Sequence, residues 1–186
     1  MSLYAILKFL HVSGDIGLFI GVGLWWVALT ALRRAEHVAQ VRILTRLMAL
    51  YEPVSIISGL LTIATGLYMA WSVWGFQHGW ITVTLGSLVV LLPPAFGVVI
   101  EPRLSLITKL ARELPEGPLS PALVASIHDP LLGTTVQTVA AVVLGIVFMM
   151  TTKSSFTGSL IAMAVALAVG VASGLPLWRA AHQRRA

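Results

Sequence analysis

Five long stretches without charged side chains set the limits on how this chain can fold. A bilayer core about 30 Å thick is crossed by about 20 helical residues, and four of the stretches reach that length unbroken. The first reaches it only if it includes His11 and Asp15. The sequence therefore predicts one all-α domain, residues 1–186, forming a polytopic membrane bundle of five transmembrane helices. The predicted spans are residues 9–32, 53–77, 79–100, 130–152 and 154–178.

The composition agrees with a membrane protein and excludes several kinds of chemistry. Hydrophobic residues make up 58% of the chain and charged residues only 10%, whereas soluble domains carry about 25% charged residues. The chain has no cysteine, which excludes disulfides, iron–sulfur ligation and thiol catalysis. Its basic residues adjoin the apolar stretches instead of forming a stripe of their own. We therefore expect lipid head groups as their partners and no nucleic acid.

The distribution of Lys and Arg predicts the orientation of the bundle. Only two basic residues, Lys8 and Lys153, fall on one side of the predicted bundle, and ten fall on the other. Cytoplasmic loops carry the excess of Lys and Arg in membrane proteins, so the side with ten is predicted to be cytoplasmic. The prediction is an N-terminus outside and a C-terminus inside. The Arg33-Arg34 pair after the first span argues against a cleaved signal peptide over residues 1–32. The ten basic residues on the other side are Arg33, Arg34, Arg42, Arg46, Arg103, Lys109, Arg112, Arg179, Arg184 and Arg185.

The first span carries a polar stripe. Lys8, His11 and Asp15 are spaced by three and four residues, which places them on one face of a helix. Gly17 and Gly21 lie close to that stripe and allow a neighbouring helix to approach. Ionisable groups in a span usually face a partner or a cavity. Two interpretations stay open: an interfacial histidine bonded to Asp15, or a ligand for a metal or redox cofactor.

A second histidine lies at the predicted outer side. His78 is in the short turn between Trp74 and Trp80, on the same side as His11. Imidazole and thioether groups together suit copper or haem iron, so His11 and His78 are candidate metal ligands. The alternatives are a solvated loop histidine and methionines that only pack. The methionines near the outer helix ends are Met69, Met149 and Met150.

Three acidic residues precede prolines at the predicted cytoplasmic edges. Asp129 before a proline is typical of a helix start, and Glu52 fits the same pattern. Glu101 is predicted to end the third span, where the helix dipole disfavours an acid. We expect it to pair with Arg103 or Arg46, and we expect structural roles for all three acids.

Two segments resemble known membrane proteins. Residues 7–12, Leu-Lys-Phe-Leu-His-Val, precede a glycine-rich apolar run, and a second segment runs from Arg46 to Thr65-Gly66. Together they resemble a family of small bacterial predicted integral membrane proteins of unknown function. The copper-resistance CopD domain and the HemJ-type protoporphyrinogen oxidases are similar at a greater distance. The oxidase resemblance implies that His11 is a haem ligand. That family also uses a lysine on a later helix, and the third span has no Lys or Arg, which argues against the oxidase activity itself.

These observations predict a protein of the bacterial inner (plasma) membrane with one of three functions. The leading hypothesis is a b-type haem near the outer leaflet, with a redox or electron-transfer role. His11 is then an axial ligand, and Asp15 and Lys8 hold the imidazole or meet the haem propionates. The second is copper binding or transport through His11 and His78. The third is a non-catalytic subunit of a homo-oligomer or a larger membrane complex, with Gly170 and Gly174 marking a close helix contact within the bundle or between protomers.

Overall fold

The computed structural model describes residues 2–183, and it is helical almost throughout. Five stretches are long and apolar enough to cross a membrane: Leu3–Leu32, Val38–Trp74, Gly79–Glu113, Pro121–Thr152 and Phe156–Gln183. Residues 2–183 contain no β-strand. The predicted all-α bundle of five spans is therefore confirmed. Its helices are α1 (Leu3–Leu32), α2 (Val38–Met69), α3 (Gly79–Val90), α4 (Leu92–Pro94), α5 (Glu101–Glu113), α6 (Pro121–Ile127), α7 (Pro130–Thr152) and α8 (Phe156–Gln183).

Helices α1 and α2 form an antiparallel pair with a glycine face. A Cβ at Gly14 would strike the Thr62 hydroxyl and would lie 2.9 Å from the Ser58 carbonyl oxygen. About two turns further along α1, a Cβ at Gly21 would strike the Ser55 hydroxyl. Because these positions lack side chains, the two helices approach closely along much of their length.

Helices α7 and α8 form a second antiparallel pair of the same kind. A Cβ at Gly170 would lie 2.6 Å from the Cα of Thr138, and one at Gly174 would lie 2.6 Å from the Cγ2 of Thr134. Gly170 and Gly174 therefore make their close contact within the chain, which decides between the two options left open by the sequence.

The two pairs meet at the end of the bundle that carries most of the arginines, which we call the arginine end. Its core is fully apolar and joins α1, α2, α5, α6 and α7. Among its most deeply buried members are Leu32, Val38, Ile107, Leu123 and Leu132. Of the ten basic residues predicted on this side, Arg184 and Arg185 lie outside the described residues.

At the opposite end, α1 and α2 stand apart from the other helices. The core at that end joins α3, α7 and α8 through Val83, Val142, Met149 and Met163, with no buried member from α1 or α2. Over their whole lengths, α1 and α2 contact each other far more than they contact any other helix. The outward faces of both helices carry large exposed apolar side chains, as expected for lipid contact.

Helix boundaries differ from the sequence prediction at two of the three acid–proline pairs. Asp129 is the N-cap of α7 and accepts a hydrogen bond from the Leu131 amide at 2.9 Å, as predicted. Glu52 does not start a helix, because α2 already begins at Val38 and continues through Pro53. Proline is tolerated within a span where neighbouring groups take over the freed backbone positions.

Glu101 does not end a helix either. A π-helical turn, Ala95–Ile100, follows the proline pair of α4 and carries the chain directly into α5. The expected pairing of Glu101 with Arg103 is wrong, because the Arg103 guanidinium donates from Nε to the Asp129 carboxylate at 2.6 Å. Arg46 forms no salt bridge with Glu101 within the described residues.

Candidate metal site

The His11 ring is held by the backbone of α2. Its Nδ1 lies 2.8 Å from the Thr62 carbonyl oxygen and 3.3 Å from the Thr65 hydroxyl oxygen. The Thr65 hydroxyl donates its own proton to the Leu61 carbonyl at 2.6 Å. Because a carbonyl oxygen only accepts, Nδ1 is the nitrogen that carries a proton. Nε2 is therefore the ring nitrogen that can bind a metal, and its direction is fixed by the bond on the other side of the ring.

Gly66 makes the space in which the His11 ring lies. A Cβ at this position would come within 2.8 Å of the ring Cε1 and 3.2 Å of Nδ1. Any side chain there would push the ring off the α2 surface. The two segments that carry the family resemblance thus lie against each other, since His11 belongs to one and Thr65-Gly66 ends the other.

The Asp15 carboxylate faces the remaining nitrogen of His11. Its Oδ2 lies 3.8 Å from Nε2, with the histidine side chain 13% exposed and the aspartate side chain 25% exposed. A bare imidazole nitrogen and a carboxylate are both electron-rich, so a cation between them is needed for a stable arrangement. A proton held by either side chain, or a bound metal ion, meets that need.

Thr62 adds a buried hydroxyl beside Asp15. The residue is 8% exposed, and its Oγ1 interacts with the Asp15 carboxyl group but has no well-aligned hydrogen bond within residues 2–183. Leaving a buried hydroxyl unpaired costs about 1–3 kcal/mol. An orphaned oxygen next to an imidazole and a carboxylate is what a bound ion, or the water that completes its coordination, would satisfy.

The size of the arrangement fits a small metal ion. Zn²⁺ takes imidazole nitrogen and carboxylate oxygen at about 2.0–2.2 Å, so two ligands of one such ion lie about 3–4 Å apart. The separation of 3.8 Å between His11 Nε2 and Asp15 Oδ2 falls in this range. Nitrogen and oxygen ligands of this kind also suit Cu²⁺.

A haem iron bound to Nε2 would share its surroundings with the Asp15 carboxylate, whose Oδ2 lies 3.8 Å from that nitrogen.

The other predicted site residues lie apart from this pair. The Lys8 side chain is exposed and forms no hydrogen bond or salt bridge with any described residue. His78 is an exposed residue at the start of α3, with its ring 6.1 Å from the Trp74 ring in an edge contact. Met149 is fully buried in an apolar core. The part of the chain from 2 to 183 contains no group of three or more His, Cys, Asp or Glu side chains that could hold a metal.

Sequence reasoning missed the contribution of α2. The polar stripe of α1 gave no sign of which residues would face it, and a threonine in a span is usually a packing residue. The Thr65-Gly66 pair was the available signal, since a glycine next to a small polar residue marks a close helix approach. No protein-family model, curated protein or solved structure matches this chain.

Proposed function

We propose that this multi-pass membrane protein binds copper at His11 and Asp15, with a redox or transport role in the bacterial plasma membrane. A single observation carries the proposal. The Thr62 carbonyl fixes the proton on Nδ1, which turns the lone pair of Nε2 toward a carboxylate 3.8 Å away. In the orientation that the basic residues predict, the site lies in the outer half of the membrane.

Each residue has a distinct part in such a site. The Thr62 carbonyl holds the imidazole in one tautomer and one orientation, as the outer partners of metal-bound histidines do. Asp15 supplies a charged oxygen ligand that offsets the charge of the ion. The Thr62 hydroxyl can bond a water or an exogenous ligand that fills an open position. A bound copper ion would supply one-electron chemistry, and the 13% exposure of the His11 side chain leaves a route for exchange.

The hydrogen bond on Nδ1 of His11 is compatible with haem binding as well as with copper binding. A backbone acceptor on Nδ1 orients an axial haem histidine equally well. However, haem binding at Nε2 requires room for the macrocycle next to the Asp15 carboxylate, whose Oδ2 is 3.8 Å from Nε2. We therefore treat haem as the alternative that the same experiment detects.

The test is metal analysis and a visible spectrum of protein purified in detergent from cells supplied with both haem and copper. We expect the wild type to retain close to one copper per chain and to show no Soret band. The variant His11→Ala should lose the copper, and His78→Ala should keep it as a matched control. Copper held equally by the wild type and His11→Ala would remove the site.

Two other results would also overturn the copper assignment. A wild type without any metal would mean that a proton, and not a metal, lies between the two side chains. A Soret band that disappears in His11→Ala would assign the histidine to haem instead.

A further inference from the structure

A second cavity lies at the arginine end, far from His11. It has a volume of about 390 Å³ and opens between α2 and α5, with Trp25 of α1 in its wall. This size is within the range of roughly 300–1,000 Å³ that small-molecule sites occupy. Trp25 is ten residues beyond Asp15 on α1, about 15 Å along the helix, so the cavity is independent of the proposed copper site.

Unpaired charges of both signs line this cavity. Glu52 comes from α2, and Glu101, Lys109 and Arg112 come from α5. None of the four makes a side-chain hydrogen bond or a salt bridge with any residue from 2 to 183, whereas Arg103 at the same end of the bundle is paired with Asp129 at 2.6 Å. All four are exposed at the opening of the cavity, so they are available to a ligand that enters from outside.

The charges are sorted along the cavity. Lys109 and Arg112 follow Glu101 by eight and eleven residues on a helix, about 12 and 16 Å along its axis. Helix α2 runs antiparallel to α5, because Arg42 near its start donates to the carbonyl oxygen of Ala111 near the end of α5 at 2.8 Å. Glu52 is ten residues further along α2 and therefore lies toward the Glu101 end.

Trp25 belongs to the acidic end as well. Gly21 of α1 faces Ser55 of α2, and the antiparallel register then brings Trp25 to the level of Glu52. Two carboxylates beside an indole ring are a common arrangement for binding an organic ammonium group. At the other end, Glu113 also lines the cavity but leaves an excess of positive charge from Lys109 and Arg112, which suits an anionic group.

We infer that this cavity binds a small zwitterion, with its ammonium group at Glu52 and Glu101 and its anionic group at Lys109 and Arg112. The acidic end lies nearer to the membrane-spanning part of α2. The bound ammonium group is therefore the deeper of the two charged groups, and the anionic group lies at the solvent end. This order favours a soluble ligand, such as an amino acid with its charges several carbons apart, over a lipid head group lying across the bilayer surface.

Isothermal titration calorimetry on the full chain tests the inference by measuring the affinity for the probe, the zwitterion 6-aminohexanoate. Hexylamine, which carries only the ammonium group, and hexanoate, which carries only the carboxylate, are measured for comparison as its single-charge halves. A nonionic detergent is needed because a zwitterionic one presents the same pair of charges. We expect the zwitterion to bind at least about tenfold more tightly than either half, since each half loses a set of charge-assisted hydrogen bonds. Added phosphatidylethanolamine identifies a lipid source: if it displaces the probe, the site takes the same chemistry from a lipid.

Matched variants make the result specific. Glu101→Gln and Lys109→Gln should each weaken binding by about tenfold, and Glu36→Gln, an exposed acid outside the cavity, should not change it. Circular dichroism establishes that each variant is folded. Equal binding of hexylamine and 6-aminohexanoate, or equal binding by wild type and Glu101→Gln, would overturn the zwitterion site.

Discussion

The α1–α2 and α7–α8 pairs pack in the same way but treat their hydroxyl groups differently. In both, glycines of one helix face serine or threonine of the other. In α7–α8 the hydroxyls are satisfied: Thr134 donates to the Pro130 carbonyl at 2.8 Å and accepts from the Trp178 indole at 3.0 Å. In α1–α2 the hydroxyls of Ser55 and Thr62 form no well-aligned hydrogen bond within residues 2–183.

The state of the hydroxyls, and not the close packing, distinguishes the two interfaces. Glycine faces occur in both pairs, so close packing alone does not indicate a site. Unpaired buried hydroxyls each cost about 1–3 kcal/mol, and in α1–α2 they lie on the helix that also holds the ring of His11. Under the proposed function, the ligand bound at His11 would satisfy the hydroxyl of Thr62.

The largest loss of stability is expected when a glycine at either helix interface is replaced by a residue whose side chain would collide with the backbone of the facing helix. Gly170→Leu drives its Cβ against the Cα of Thr138, and Gly14→Leu drives its Cβ against the carbonyl oxygen of Ser58. Neither backbone atom can move aside, so each variant should lose about 3 kcal/mol, the upper part of the range for overpacked cores. Unfolding in mixed micelles followed by circular dichroism measures the loss.

The control for this comparison is Gly86→Leu, where an added Cβ meets no atom within 4 Å. It should unfold like the wild type. Normal stability of Gly14→Leu would show that α1 and α2 are not packed closely at this level, and the geometry around His11 would then be wrong.

A pair of isosteric substitutions should change stability in opposite directions. Thr134→Val removes both bonds of a satisfied hydroxyl and should lower the free energy of unfolding by about 1 kcal/mol. Thr62→Val removes a hydroxyl without a well-aligned hydrogen bond and should raise the free energy of unfolding by about 1 kcal/mol in metal-free protein. Both are measured by the same unfolding titration. A loss of stability in Thr62→Val would mean that this hydroxyl has a structural partner, and the contrast between the two interfaces would fail.

The smallest effects are expected at two serines. Ser173 donates to the side-chain oxygen of Gln137 at 2.9 Å, so Ser173→Ala should cost about 0.5 kcal/mol, as for interhelical bonds in membranes. Ser55→Ala deletes an unpaired hydroxyl and should cost nothing or stabilise slightly. The unfolding midpoint of Ser173→Ala should therefore lie below that of the wild type. The midpoint of Ser55→Ala should equal that of the wild type or lie slightly above it. Equal losses would remove the distinction.

Much of the architecture could be predicted from the sequence, because span length and apolar composition are local properties. The five spans and the N-cap at Asp129 follow from neighbouring residues alone. The continuity of the helix through Glu101 could not be predicted, since it depends on a π-helical turn that absorbs the proline pair. The pairing of Glu101 failed for a related reason: Arg103 has a better partner in Asp129, which is distant in sequence.

The site was predictable only on one helix. The spacing of His11 and Asp15 fixes their common face, whatever the rest of the chain does. The partner face of α2 depends on helix register, which the sequence does not specify. Lys8 shares the stripe but lies exposed.

Electron paramagnetic resonance of Cu²⁺-loaded protein tests the central claim most directly. The account predicts nitrogen hyperfine structure from a single imidazole in the wild type. That structure should disappear in His11→Ala and persist in His78→Ala and Thr134→Val. An unchanged nitrogen signal in His11→Ala would contradict the account, because the copper would then be held somewhere other than at the α1–α2 pair.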